Sequence, residues 1–147
     1  MADLYGVSRA DRMERGERYL KTFEMTEAAG DRISSYSRGM KQKIASIGAL
    51  IHNPPIWVLD EPMVGLDPRA AFLLKEEMIA RARAGATVFF STHVLEVAEK
   101  LCDRVGIISK GKLLVEGTPE ELQRKTGDAS LEDVFLELTG GDPAAEA

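Results

Sequence analysis

Apolar residues recur at helical spacing in the first part of the chain. Met13, Leu20 and Phe23 are separated by mostly charged and polar residues, a period that places apolar side chains on one face of a helix. Ser8 followed by Asp11 matches a capping box, which satisfies free N–H groups at a helix start. We therefore expect an amphipathic, charged helical region here rather than part of a sheet.

Three short apolar runs later in the chain predict strands. They cover residues 56–59, 87–90 and 105–108, and none alternates between apolar and polar positions. A continuous apolar run is typical of a strand in a parallel sheet that is covered on both faces. We expect these strands to be buried on both sides.

Helical periodicity fills the segments between and after these strands. The predicted helices cover residues 40–51, 68–84, 94–101, a stretch opening at 118 and residues 130–138, and Lys110-Gly111 predicts a turn into a fourth apolar run at 113–115. Strands that alternate with helices predict crossover connections and an α/β layered domain.

Composition narrows the class of protein. The 147 residues, 44% hydrophobic and 29% charged, suit one globular domain. Nineteen basic and 24 acidic residues give a net charge of −5, which argues against a basic nucleic-acid-binding surface, so no nucleic-acid partner is expected. The longest uncharged, mostly apolar run, residues 44–51, is far shorter than the ~20 residues of a membrane span. The start shows no secretory signal, and a single cysteine, Cys102, favours a reducing cytoplasm.

Two adjacent carboxylates, Asp60 and Glu61, follow the first predicted strand. Open α/β sheets bind ligands at the carboxyl ends of their strands, and two neighbouring like charges are costly there without a cation. Hydrated Mg²⁺ lowers that cost because it takes few carboxylates together with waters and phosphate oxygens. We expect Asp60 to hold the metal and Glu61 to act as general base or to position a water. The alternative is an exposed acidic pair that merely ends a strand.

Three other segments carry groups that could meet a phosphate. Ser37 and Gly39 lie in the loop 34–40 that opens a helix, where free N–H groups form an anion site; ordinary N-capping by Ser37 is the alternative. Asp67 taken alone predicts a helix cap. His93 follows the second predicted strand, where it could donate to a phosphate oxygen or a water, or cap the next helix.

These segments, in this order, resemble the ATP-binding-cassette (ABC) ATPase family. Tyr36-Ser37-Arg38-Gly39-Met40 resembles the signature loop, residues 56–61 the magnesium-and-base strand, residues 65–67 the dimer-contact loop and His93 the switch histidine. The resemblance runs from about residue 34 to 121, and the joint order is highly specific. The ending at residues 130–135 is similar to the closing helix of bacterial exporter-type cassettes for drugs or small molecules, a less specific match.

The resemblance implies a three-layer, P-loop NTPase-like (RecA-like) α/β fold, with a parallel sheet flanked by helices and a small helical subdomain at its start. It implies a helical subdomain segment at residues 1–35, the ATPase core at residues 36–122, and a carboxyl-terminal helix and tail at residues 123–147. It implies ATP and Mg²⁺ as cofactors, with Asp60 on the metal, Glu61 and His93 as catalytic residues, and Ser37, Arg38, Gly39 and Asp67 at the nucleotide. The implied partners are membrane-spanning transporter subunits and a second ATPase subunit in a head-to-tail dimer, at the cytoplasmic face of the membrane.

The chain also departs from the family pattern. Arg38 stands where the commonest signature has its first glycine, and Met40 stands where it has glutamine. Exporter-type cassettes often vary at these two positions. The phosphate-cradling loop G-x-x-x-x-G-K-[ST] is not found upstream of the signature. Residues 106–112 match its glycine and lysine spacing, but Leu113 offers no hydroxyl for Mg²⁺ and the segment is predicted to run strand–turn–strand.

These departures predict the carboxyl-terminal part of a cassette, with the amino-terminal part missing. Because phosphoryl transfer depends on positioning and charge stabilisation, we expect the chain alone to be inactive towards ATP. In the family, a further strand lies between the strands at 87–90 and 105–108, so bare apolar faces and low stability are expected without it.

Two other interpretations stay open. The chain could be a non-catalytic partner that lends its signature loop to an intact cassette in a heterodimer. It could also be the ABC-type ATPase of a soluble DNA-repair or translation factor. Such factors usually carry long coiled coils or a second cassette, and neither is visible here; the charge of −5 also gives no nucleic-acid footprint.

Overall fold

The computed structural model describes residues 2–125 and 130–140, without the side chain of Lys125. Its regular elements, in chain order, are α1 (Arg9–Thr22), α2 (Arg38–Leu50), β1 (Ile56–Leu59), α3 (Pro68–Arg83), β2 (Thr87–Phe90), α4 (Leu95–Leu101), β3 (Val105–Ser109), β4 (Lys112–Gly117), α5 (Pro119–Lys125) and α6 (Leu131–Thr139). Two short 3-10 helices, Glu27–Gly30 and Ile33–Ser35, lie between α1 and α2. The chain divides into two compact units, the first ending at Ser91 and the second beginning at Thr92.

The first unit is built on a parallel pair of strands. β1 pairs with β2 in the register that sets Ile56 opposite Thr87 and Leu59 opposite Phe90. The helix α3 connects the two strands and packs against β2. This β–α–β arrangement confirms the predicted α/β class and the predicted bounds of both strands.

The sheet of the first unit is covered on one face only. Trp57 is buried, and α3 adds the buried side chains of Leu74 and Met78. Ile56, Val58 and Phe89 remain 59%, 66% and 63% exposed. The prediction of burial on both faces is therefore wrong, because the helices of the described part of this unit cover a single face. It is wrong in the same way for Ile108 of β3, which is 63% exposed.

The helical start of the first unit is confirmed. Ser8 accepts a hydrogen bond from the Asp11 N–H at 3.1 Å and caps α1. The buried Tyr19 of α1 receives a hydrogen bond from Arg81 of α3 at 3.1 Å. Arg81 also donates to Asn53 Oδ1 and, at 2.7 Å, to the Pro54 carbonyl. This one buried guanidinium therefore joins α1, α3 and the loop that leads into β1.

The second unit holds an antiparallel hairpin and two capped helices. β3 pairs antiparallel with β4 through a turn at Lys110 and Gly111, which both have positive φ. The segment 106–112 is therefore strand–turn–strand, as predicted, and not a phosphate loop. Within the described residues β3 has no parallel partner, which differs from the parallel-sheet strand expected at residues 105–108. Capping pairs start α5 and α6, and a core made of Ile107, Leu122, Leu131 and Val134 holds the hairpin and helices together.

Among the helices that the structure describes, none combines the length and the apolar content needed to cross a membrane.

Candidate functional site

Asp60, Glu61 and Ser91 meet at the carboxyl edge of the parallel pair. Because Leu59 lies opposite Phe90, the residues that follow the two strands are neighbours in space. The Ser91 N–H donates to the Leu59 carbonyl at 3.0 Å. The Ser91 hydroxyl then donates to Asp60 Oδ1 at 2.5 Å and accepts from the Glu61 N–H at 3.0 Å. One hydroxyl thus connects both acidic residues to the end of β2.

The backbone turns sharply at Glu61. Its φ is 42°, in the left-handed region that costs roughly 1 kcal/mol or more for a residue with a side chain. The hydrogen bond from the Glu61 N–H to Ser91 holds this turn. Strain of this kind persists only where neighbouring groups fix it, and here it ends the extended strand immediately after Asp60.

Asp60 and Glu61 are the carboxylates at this edge that could hold Mg²⁺ together with a phosphate. The Ser91 hydroxyl donates to Oδ1 of the Asp60 carboxylate. The other oxygen of that carboxylate is Oδ2. Within residues 2–125 and 130–140, no group of three or more His, Cys, Asp or Glu side chains is placed to hold a metal ion. A cage made only of protein ligands is thus not built in this part of the chain, whereas Mg²⁺ usually takes one or two carboxylates, waters and phosphate oxygens.

The predicted signature segment opens α2. Ser37 accepts a hydrogen bond from the Met40 N–H at 3.2 Å and is the N-cap of this helix, which confirms the capping interpretation. A hydroxyl that accepts one hydrogen bond can still donate another. Tyr36 is buried and donates its phenolic proton to the Ala28 carbonyl at 2.6 Å. The start of the segment is therefore anchored, while Ser37 and Arg38 are exposed.

The segment 65–67 lies against the start of α2. Asp67 accepts a hydrogen bond from the Ala70 N–H at 2.9 Å and caps α3, as predicted. That hydrogen bond lowers the pKa of Asp67, and the positive charge of Lys43 lowers it further. A Cβ added at Gly39 would lie 3.4 Å from the Gly65 carbonyl oxygen, so the predicted signature segment and this segment are in contact.

His93 belongs to the second unit, whereas Ser37, Arg38, Gly39, Asp60, Glu61 and Asp67 belong to the first. His93 is exposed. The helix that follows, α4, has Val94 as its N-cap residue, and the Val94 N–H donates to Thr92 Oγ1 at 3.1 Å. His93 is therefore not the N-cap residue of α4.

Two features of the structure were not foreseen from the sequence. Ser91 received no role, although a hydroxyl directly after one parallel strand and an acid directly after its neighbour is a usable signal. A cavity of about 640 Å³ was also missed, and it lies at the opposite, amino-terminal edge of the sheet, beside Pro55 and Ala86. Arg18, Glu77 and Arg81 contribute to its lining, and burial raises the pKa of Glu77.

Comparisons with known proteins place this geometry in a family. Residues 6–99, more than half of the chain, match the family model described as "AAA domain, putative AbiEii toxin, Type IV TA system". The ABC-type transporter ATP-binding protein EcsA of Bacillus subtilis (strain 168) is 38% identical over 97% of this chain and 58% of its own length. The Nod factor export ATP-binding protein I of Rhizobium leguminosarum bv. viciae is 36% identical over 84% of this chain and 39% of its own length.

A solved structure supports the same assignment. The ATP-binding subunit of an ABC transporter superposes with a TM-score of 0.89 and 36% sequence identity, over 94% of this chain and 58% of that subunit. The chain thus spans well under two thirds of the length of these relatives. The superposition confirms the predicted P-loop NTPase α/β fold, in which β1 and β2 supply a parallel pair. The chain therefore belongs to the AAA-domain family of that model, and its relatives in sequence and in structure are ATP-binding proteins of ABC transporters.

Proposed function

We propose that this chain supplies the signature, magnesium-and-base and switch segments of an ATP-hydrolysing subunit of an ABC exporter. The observation that carries the proposal is the Ser91 hydroxyl, which joins Asp60 and Glu61 at the carboxyl edge of a parallel strand pair. That edge is where open α/β sheets bind ligands. The export role is supported by the name of the Nod factor export relative and by the closing-helix motif at residues 130–135.

Each predicted site residue has a chemical task in this proposal. Asp60 would hold Mg²⁺, which would supply positive charge to the phosphate oxygens of ATP. Glu61 takes a proton from the attacking water or orients it, and His93 donates a hydrogen bond to a phosphate oxygen or to that water. Ser37, Arg38 and Gly39 offer a hydroxyl, a guanidinium and helix N-terminal amides to a triphosphate held by a second subunit, and Asp67 lies at the contact between the two subunits.

The proposal includes partners and a location. A second ATPase subunit completes the composite site in a head-to-tail dimer, and membrane-spanning subunits carry the exported substrate. The subunit then acts as a peripheral protein at the cytoplasmic face of the membrane. The 147 residues alone contain no accepted phosphate-binding loop, so we propose that they do not hydrolyse ATP by themselves.

A chimera tests the catalytic roles. The chain is joined to the part of EcsA that lies outside the matched region, and release of inorganic phosphate from Mg·ATP is measured. We expect magnesium-dependent turnover that falls by at least about 100-fold with Glu61→Gln, since general acid–base groups contribute roughly that much or more. Asp60→Asn is expected to raise the magnesium concentration that turnover requires.

The matched control is Glu76→Gln, which changes an exposed acid on α3 and is expected to leave turnover unchanged. Turnover that survives Glu61→Gln, or a folded chimera with no turnover, would contradict the proposal.

The non-catalytic partner role is separated by mixing. The 147-residue chain is added to an intact ABC ATPase subunit whose own signature serine is replaced by alanine. Restored turnover that disappears with Ser37→Ala but persists with Glu61→Gln would assign the chain the role of a signature donor alone. Turnover by the 147-residue chain without any partner would disprove its proposed inactivity.

A further inference from the structure

The side chain of Arg38 lies directly across Gly65. A Cβ added at Gly65 would stand 2.8 Å from Arg38 Nε and 3.1 Å from Arg38 Cδ. A distance of 2.8 Å is shorter than real Cβ atoms show, so a side chain at position 65 would require the exposed, flexible Arg38 side chain to move. Gly65 also has a φ of 79°, a conformation that favours glycine for a separate reason.

The neighbouring contacts join the same two segments. Gln42 Nε2 donates to the Pro62 carbonyl at 3.4 Å, a long hydrogen bond. The charge of Lys43 acts on the Asp67 carboxylate. The first two turns of α2 therefore touch the chain between Pro62 and Asp67 at several points. Arg38 makes the closest of the approaches to Gly65.

We propose that Gly65 is a positioning residue for Arg38, and that their contact presents residues 37–39 and 65–67 to a second subunit as one unit. This inference rests on the proposed function, because it gives those segments a shared partner. It also assigns a role to a departure from the family pattern: with the usual glycine at position 38, no side chain would lie over Gly65, and the hydrogen bond from Gln42 and the charge of Lys43 would remain.

A double-mutant cycle on the 147-residue chain tests the contact. Gly65→Ala is expected to lower Tm by about 5 °C when Arg38 is present, from backbone strain and displacement of the arginine together. In the Arg38→Gly chain the same change should lower Tm by about half as much, because only the strain remains.

Gly85→Ala is the matched control. Gly85 also has a positive φ, 90°, but no atom lies within 4 Å of a Cβ placed there. Its substitution should lower Tm equally with Arg38 or with glycine at position 38. Equal shifts for Gly65→Ala in the two backgrounds would overturn the contact. In NMR spectra, cross-relaxation between the Arg38 δ protons and the Gly65 α protons should be seen in the unaltered chain, and its absence would also overturn the contact.

The positioning role is tested in the mixing assay with the signature-disabled subunit. Gly65→Ala is expected to reduce the restored turnover at least 10-fold with Arg38 present, and at most twofold in the Arg38→Gly chain. Equal reductions in both backgrounds would overturn the positioning role while leaving the proposed function intact. If the unaltered chain restores no turnover, the signature-donor part of the proposed function fails, and the shared presentation to a second subunit fails with it. The double-mutant cycle on Tm and the NMR cross-relaxation then test only the contact between Arg38 and Gly65 within the chain.

Discussion

The Ser91 hydroxyl donates to Asp60 Oδ1 while its oxygen accepts the Glu61 N–H. Ser91 and Asp60 are far apart in the chain and come together only because β1 and β2 run parallel in a fixed register. The same serine therefore orients one carboxylate and holds the backbone of the next residue in its left-handed turn. A hydrogen bond to a charged group is among the stronger ones in proteins, so this contact couples the ends of the two strands.

Replacing Ser91 tests that coupling. Ser91→Ala should lower the free energy of unfolding by about 1–2 kcal/mol, because both hydrogen bonds are lost and Glu61 keeps its strained φ. Ser91→Thr retains the hydroxyl and should cost less. Urea unfolding gives the free energies, and amide hydrogen exchange at Glu61 should accelerate in the alanine variant alone. Unchanged exchange at Glu61 would mean that Ser91 does not hold this backbone.

Local features of the fold could be predicted from the sequence, and long-range ones could not. The caps at Ser8, Thr118 and Ser130 were predictable because each depends on a residue three positions further along. The strand bounds followed from apolar runs. By contrast, the sequence alone would place Arg81 at the surface. Only tertiary packing supplies the three acceptors to which its buried guanidinium donates.

The exposed face of β1 shows the same difference between local and long-range features. An apolar run reports that a strand can be buried, but whether helices cover one face or two depends on the rest of the fold. The candidate site divides in the same manner: Asp60 and Glu61 were visible as a pair, whereas the contribution of Ser91 required the register of two strands.

A substitution on the exposed face of β1 and one on the buried face of α3 should differ sharply in their effect on the free energy of unfolding. Val58 is 66% exposed, and Val58→Ala should change the free energy of unfolding by less than about 0.5 kcal/mol. Leu74 of α3 is 1% exposed, and Leu74→Ala should cost about 2–5 kcal/mol from lost burial and the cavity left behind. Both values come from urea unfolding of the same chain. A large cost for Val58→Ala at low protein concentration would show that the exposed face is covered in solution.

Cys102 should react slowly with alkylating reagents. Burial, with a smaller contribution from the charge of Asp103, raises the pKa of this thiol from 9.0 to about 11. Since the thiolate is the reactive form, two pKa units correspond to a rate on the order of 100-fold lower than that of the unfolded chain at pH 8. Iodoacetamide labelling in buffer and in urea measures the ratio. The neutral thiol favours the folded state, so stability should fall as the pH rises from 9 towards 11. Equal rates in buffer and in urea would contradict the burial of Cys102.

Glu77 should make the stability of the first unit depend on pH in the direction opposite to most carboxylates. Burial raises its pKa despite the opposing charges of Arg18 and Arg81, so the folded state holds the proton more tightly than the unfolded chain does. Stability contributed by the protonated form is present below the ordinary glutamate pKa and is lost as the pH rises through the raised one. Glu77→Gln, which keeps the neutral shape, should therefore gain stability relative to the unaltered chain between pH 4 and pH 7. Urea unfolding at both pH values measures this difference, and Glu76→Gln, at an exposed position on the same helix, should show none. A Glu77→Gln chain that loses relative stability as the pH rises would mean that attraction to Arg18 and Arg81 outweighs the cost of burying the carboxylate.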